Sequence, residues 1–255
     1  MLPIRDRHPS GRTPIVTWCL ILFNIAVFLA YWPAGTDSSI QQIYAQYAFR
    51  PRLFLRWDGW FTVFTYMFIH GGWLHLGLNM LFLRIFGDNL EYELGGLRYL
   101  GFYLACGLIA ALCEFVLDPL SMASIGGASG AVAGVMGGYM LMFPKARVEV
   151  ALYFVFWIKL INVPAWLLLG AWLGLQLWGA FATTGEASVA FAAHIGGFLG
   201  GMYLVHRVWQ SKGGRHFWKR FNGLPPHPQD SIVIPVIRRR GQTLPPAQSH
   251  GIFRR

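Results

Sequence analysis

The chain has 255 residues, of which 55% are hydrophobic and 13% charged, with eleven tryptophans and twenty phenylalanines. A soluble domain carries about a quarter charged residues, so this composition excludes an ordinary water-soluble globule and makes lipid the solvent for much of the surface. The formal net charge of +10 does not point to nucleic acid, because the basic side chains gather in Arg5, Arg7 and Arg12 and in the run from Arg207 to Arg255, the distribution that membrane topology produces.

A helix needs about 20 apolar residues to cross the hydrocarbon core. The first such run is Pro14 to Trp32, uncharged throughout, with Pro14 suited to a first helical turn. It is long and no small-residue cleavage site follows it, so it reads as a span and not as a cleavable signal peptide. The loop from Pro33 to about Gly59 contains Arg50, Arg52, Arg56 and Trp57, with Trp60 at its end, a mixture that suits a segment lying in the membrane interface. Leu74 to Phe86, Leu97 to Leu117 and a short Ser129 to Phe143 give the second, third and fourth spans. Val148 to Val163 contains Glu149, Lys159 and Asn162 and is not counted as a crossing. Pro164 to Ala182 and Ala190 to Trp209 are the fifth and sixth.

The expected organisation is a basic N-terminal tail over residues 1–13, an all-α membrane domain of six transmembrane helices over 14–209, and a basic, Pro-containing, disordered tail over 210–255. An even number of crossings places both tails on one side. The positive-inside rule makes that side cytoplasmic, with Lys145 and Arg147 beside them, while the loops around Asp118 and Glu186 carry almost no Lys or Arg. Cys19, Cys106 and Cys113 lie in apolar stretches without a CxxC and read as buried hydrophobes, giving neither a disulfide framework nor a metal site. No cofactor is expected.

Polar side chains inside spans are expensive and mark function; the short set here is His70, His75, Asn79, Glu114, Ser129 and His194. Gly126-Gly127-Ala128-Ser129-Gly130 opens the fourth span as a G-x-S-G pattern. Glycines there permit a tight turn, and unpaired N–H groups at a helix start suit an oxyanion. Among thirty glycines this pattern alone is also that of an ordinary N-cap serine. His194 lies on one helical face with Gly197 and Gly201, and the fourth span has a matching small face at Gly130, Gly134 and Gly138. Small faces let membrane helices approach closely, and if these two pack together Ser129 and His194 meet at the same end. His75 and Asn79 are spaced i, i+4 on one face. They are plausible oxyanion donors, or alternatively an interhelical hydrogen-bond pair.

These three regions, in this order, resemble the rhomboid family of intramembrane serine proteases, as does the stretch from Gly87-Asp88-Asn89-Leu90-Glu91 to Gly95 and Arg98, which is similar to the family's loop between spans two and three. The resemblance covers roughly Pro14 to Trp209. It implies a six-helix bundle with a water-filled cavity open to the extracytoplasmic side, a catalytic dyad of Ser129 (nucleophile) and His194 (general base), and oxyanion stabilisation by His75 and Asn79. It further implies single-span membrane proteins as substrates, cut near their extracytoplasmic ends. The lean layout suits a prokaryotic plasma membrane. Two positions depart from the family pattern: Phe61 and Thr62 stand where many members have a Trp-Arg pair, and Ala133 stands where many have an aromatic four residues after the nucleophile. No acidic partner for His194 follows from the spacing; Glu114 and Glu186 are the nearest carboxylates in loop-proximal positions. The alternative function is a non-catalytic adaptor that binds transmembrane segments with the same fold.

Overall fold

The computed structural model describes residues 2–32, 37–153, 157–182 and 191–226. In chain order the helices are α1 (Ile15–Tyr31), α2 (Asp37–Tyr47), α3 (Pro51–Leu55), α4 (Thr62–Thr65, followed by a 3-10 turn at Tyr66–Phe68), α5 (Trp73–Leu94), α6 (Gly96–Leu117), α7 (Ser129–Met142), α8 (Ala165–Ala182), α9 (Phe191–Ser211) and α10 (Arg215–Phe221). Three strands, β1 (Leu2–Asp6), β2 (Arg147–Tyr153) and β3 (Ile158–Pro164), form a small antiparallel sheet in that order. The long helices α1, α5, α6, α7, α8 and α9 stand where six crossings were expected and form a polytopic membrane bundle. Of these, α6 and α8 are by themselves long and apolar enough to cross a bilayer, and α1 and α7 are shorter apolar helices.

The central helix is α7. Its side chains are buried almost throughout, from Gly130 to Tyr139, because α5, α6, α8 and α9 surround it. Glycine makes that enclosure tight. A Cβ placed on Gly197 would run into the carbonyl of Gly130, and one on Gly201 into the backbone of Gly134, while Gly137 sits against the backbone of Phe198. The small faces of α7 and α9 are thus in backbone contact. With no hydrophobic drive between helices in lipid, such close approach supplies dispersion contacts that larger residues would prevent.

The end of the bundle opposite Ser129 holds the sheet, and here the structure departs from the sequence expectation in three places. First, Gly87 to Leu94 is not a loop. It continues α5 for two more turns, and Gly95 (φ +80°) alone separates α5 from α6. Nothing before Gly95 breaks the helix, and the polar residues of this stretch face partners instead of water. Glu91 accepts hydrogen bonds from the N–H groups of Val16 (2.9 Å) and Thr17 (2.8 Å) and from the Thr17 hydroxyl (2.8 Å), satisfying donors that the first turn of α1 leaves unpaired. Asn89 donates to Asp6 and to the His8 carbonyl, and Asp88 accepts from Ser10.

Second, the N-terminal segment is not simply a tail, since β1 lies within it, and a sheet is added to the all-α expectation. The described residues between 148 and 163 form β2 and β3 and no crossing helix, with Val148 and Val150 buried and Glu149 taking Arg5 (3.2 Å) and Arg7 (3.0 Å). The alternation Arg147-Val148-Glu149-Val150 is the strand signal that a search for spans passes over. Third, the chain after residue 209 stays helical to Ser211, and α10 follows at once. The remainder of the expected tail, residues 227–255, lies outside the described residues, as does the loop around Glu186.

The α7–α9 contact gives a direct test. Gly201→Ala should destabilise the fold by about 1–3 kcal/mol through overpacking, seen as a lowered thermal midpoint in detergent. Gly174→Ala on α8, where a Cβ meets nothing within 4 Å, should leave the midpoint unchanged or raise it.

Candidate active site

At 14 residues α7 is about 21 Å long, shorter than the ~30 Å hydrocarbon core. Ser129 stands at the first position of this short helix, which its neighbours enclose. The connection from α6, residues 118–128, leads to that point. The first loop holds it there: Phe49 and Ile125 exchange both backbone hydrogen bonds (2.9 Å each), Arg52 N–H donates to the Ser121 carbonyl (3.0 Å), and Arg50 Nε donates to Ser124 Oγ (2.7 Å). Gly127 takes φ +133°, and a Cβ there would lie 2.7 Å from the His75 imidazole. Only glycine allows the chain to pass this ring and turn into α7.

Ser129 Oγ and His194 Nε2 are 2.7 Å apart. The small α7–α9 face is the cause: it brings the first turns of both helices side by side, so the hydroxyl and the imidazole share one level. On its other edge the ring meets Gln176 of α8, with Nδ1 2.8 Å from the amide Oε1. With the amide oxygen turned to the ring it accepts from Nδ1–H, the tautomer whose Nε2 lone pair is free to accept from the serine hydroxyl. The Trp172 ring, one turn before Gln176, lies 5.9 Å from the imidazole and 5.9 Å from Phe198. Glu114 does not reach the imidazole. Its Oε2 accepts the backbone N–H of Ala193 at 3.1 Å and so fixes the start of α9 beside the histidine.

A cavity of about 880 Å³ opens onto this pair, and His75, Asn79, Glu114, Gln176, Ser129 and His194 all line it. His75 and Asn79 share one face of α5, as their spacing requires, and the Asn79 amide donates to the His75 carbonyl at 2.8 Å. His70 is fully buried behind them. Its ring stands edge-on to His75 at 5.2 Å, and its Nε2 accepts the Ala128 N–H at 3.4 Å. The arrangement therefore brings together all four residues singled out from sequence. Sequence reasoning missed Gln176 and Trp172: each is one polar or aromatic residue on an apolar helix, and only the packing of α8 against α9 shows which way they face.

A family model for the rhomboid domain matches residues 58–211, more than half of the chain. The chain belongs to the rhomboid family. It is an integral membrane protein. It is 33% identical over 145 residues to the mitochondrial Rhomboid protein 1 of Saccharomyces cerevisiae, an alignment that covers 53% of this chain and 38% of the yeast protein. It is 32% identical over 130 residues to the chloroplastic Rhomboid-like protein 11 of Arabidopsis thaliana, covering 51% of this chain and 42% of that one. The Rhomboid protease GluP of Bacillus subtilis is 27% identical over 207 residues, 81% of this chain and 37% of the relative. The chain spans less than half the length of these relatives.

Both departures from the rhomboid pattern have a structural counterpart. Thr62 is buried and its hydroxyl donates to the Gly59 carbonyl at 2.6 Å, a local turn where a Trp-Arg pair was expected. The Phe49–Ile125 pairing and the bond from Thr65 Oγ1 to the Tyr47 carbonyl (2.8 Å) hold the first loop instead. Ala133 is fully buried, and the ring beside the imidazole comes from Trp172.

Gln176 holds the His194 imidazole by its Nδ1 edge, on the side away from Ser129. Gln176→Leu should lower kcat for peptide cleavage by roughly ten- to a hundredfold, a fraction of what a general base contributes. KM should be unchanged, with partial recovery in Gln176→Asn. A rise in KM at constant kcat would contradict the positioning role.

Proposed function

We propose that the protein is an intramembrane serine endopeptidase acting through a Ser129–His194 dyad. The observation that carries this reading is the 2.7 Å contact between Ser129 Oγ and His194 Nε2, with Nδ1 engaged by Gln176, in a cavity that His75, Asn79 and Glu114 also line. Nucleophile, base and orienter stand in the order that serine catalysis requires.

In this mechanism Nε2 takes the serine proton as Oγ bonds to the scissile carbonyl carbon. The carbonyl oxygen gains the negative charge and turns toward the N–H groups at the start of α7 and toward His75 and Asn79. Collapse breaks the C–N bond, and the imidazolium passes its proton to the departing amine. Water then enters the cavity, loses a proton to His194, and releases the acyl group from Ser129. The substrates fitting a site within the helix bundle are single-span membrane proteins whose chain unwinds near the cavity mouth. The face bearing β1, Lys145, Arg147 and α10 is the basic one and is taken as cytoplasmic. The cavity then opens to the extracytoplasmic side, in a prokaryotic plasma membrane.

Two measurements test the proposal. A fluorophosphonate should label detergent-purified wild type and fail to label Ser129→Ala and His194→Ala. In cleavage of a transmembrane substrate, Ser129→Ala should be inactive and Asn79→Ala slower by about 10²–10³. Cleavage by Ser129→Ala at the wild-type rate would refute the assignment.

A further inference from the structure

The end of the bundle away from Ser129 carries a second pair of cavities that the proteolytic reading does not use. One, of about 590 Å³, lies between Arg12, Tyr92, Lys212, His216 and Arg220. The other, of about 490 Å³, lies between α6 and α9 and is lined by Arg98, Gly101, Phe102, Ala105, Leu204 and Val208. Glu93 and Lys212 line both, so the two meet at the Lys212–Glu93 ion pair (2.7 Å). The two flank that ion pair, one (the mouth) with a basic lining and the other (the limb), between the helices, with a mostly apolar one.

The mouth is strongly cationic. Arg12, Lys212 and Arg220 line it, and Arg98 lines the adjoining cavity beside Lys212; the one carboxylate among these linings is that of Glu93, shared by both. Among the described residues only Lys212 of the four is paired with an acid, and Glu93, its side chain just 4% exposed, is consumed in that pair. Arg12 and Arg220 are held by ring contacts instead, over Tyr92 (5.1 Å) and Phe221 (5.2 Å). Their positive charge stays uncompensated at the mouth.

The limb is apolar and owes its existence to small residues. Gly101 and Ala105 stand one turn apart on α6, and Leu204 and Val208 one turn apart on α9. At Gly101 an added Cβ would meet nothing within 4 Å. The limb thus runs between two membrane helices away from a basic mouth at the bundle's end. A soluble anion would fill the mouth and leave the limb empty. A zwitterionic lipid would fill the limb and offer a phosphate, but it would also bring its own ammonium cation among the basic side chains and leave their net charge unchanged.

We infer that this site binds an acidic phospholipid of the adjoining leaflet, its phosphate at Arg98, Lys212 and Arg220 and one acyl chain along Gly101, Ala105, Leu204 and Val208. Basic pockets between membrane helices on the cytoplasmic side take anionic headgroups for the same electrostatic reason. The inference is independent of the protease reading, and none of its residues lines the Ser129 cavity.

Native mass spectrometry of the full chain, delipidated in detergent and then given equal amounts of phosphatidylglycerol and phosphatidylcholine, tests it. Wild type should retain phosphatidylglycerol in preference. The double variant Arg98→Gln/Arg220→Gln should lose about thirtyfold in that preference, at the usual contribution per basic residue, while holding phosphatidylcholine as before. Gly101→Leu, which fills the limb without a clash and improves helix propensity, should weaken phosphatidylglycerol binding and leave the charge at the mouth intact. Unfolding midpoints without added lipid report that each variant is folded. Equal retention of the two lipids by wild type would overturn the inference. So would glycerol phosphate displacing phosphatidylglycerol at equal concentration with Gly101→Leu behaving as wild type, because the site would then be one for free phosphate.

Discussion

The contact on which the rest depends is the meeting of two helix backbones. Where α7 and α9 touch, Gly130 and Gly134 face Gly197 and Gly201 with no side chain between them. That contact sets the separation of the two helices to within a fraction of a methyl group, and Ser129 and His194, at corresponding ends, inherit the setting. A hydrogen bond tolerates only a few tenths of an ångström. The glycines are therefore part of the geometry that brings Ser129 and His194 together, although none of them touches either side chain's polar atoms.

Around this pair the protein uses borrowed supports. The imidazole has an amide from α8 on one side and a tryptophan from α8 beside it, and Glu114 of α6 holds the backbone one residue earlier. A neutral amide fixes the tautomer of the base as a carboxylate would, without placing a charge in a low-dielectric bundle. Burying a carboxylate there would bring its own desolvation cost, and the structure places its acid on the backbone instead of on the ring.

Much of this was legible in the sequence, for a reason specific to membranes. A histidine or serine in a hydrocarbon-length apolar run is improbable unless it is used, so Ser129, His194, His75 and Asn79 stood out, and the i, i+4 rule placed them on faces. Small residues at fourfold spacing predicted which faces would meet. What stayed hidden is what tertiary packing alone decides. Gln176 is a lone amide on α8, and its spacing to other polar residues carries no signal. The polar run Asp88-Asn89-Glu91 looked like a loop because its partners, at Ser10, Asp6 and the first turn of α1, lie some 75 to 85 residues earlier in the chain. The sheet was missed because its strands are short and one of them is the amino-terminal segment, where composition suggested a basic tail.

That segment also constrains the order of assembly. Strand β1 precedes every helix of the bundle, yet its neighbour β2 lies more than 140 residues later, and the Tyr139 hydroxyl that meets Asp6 is nearly as distant. During synthesis the first strand must wait, unpaired, until α7 has been delivered to the bilayer and the chain has returned to the same side. A nascent chain whose fourth crossing stalls or inserts upside down would present β2 to the wrong compartment, and the sheet could not close. Closure of the sheet therefore requires that α1, α5, α6 and α7 have been threaded so that β1 and β2 emerge on the same side.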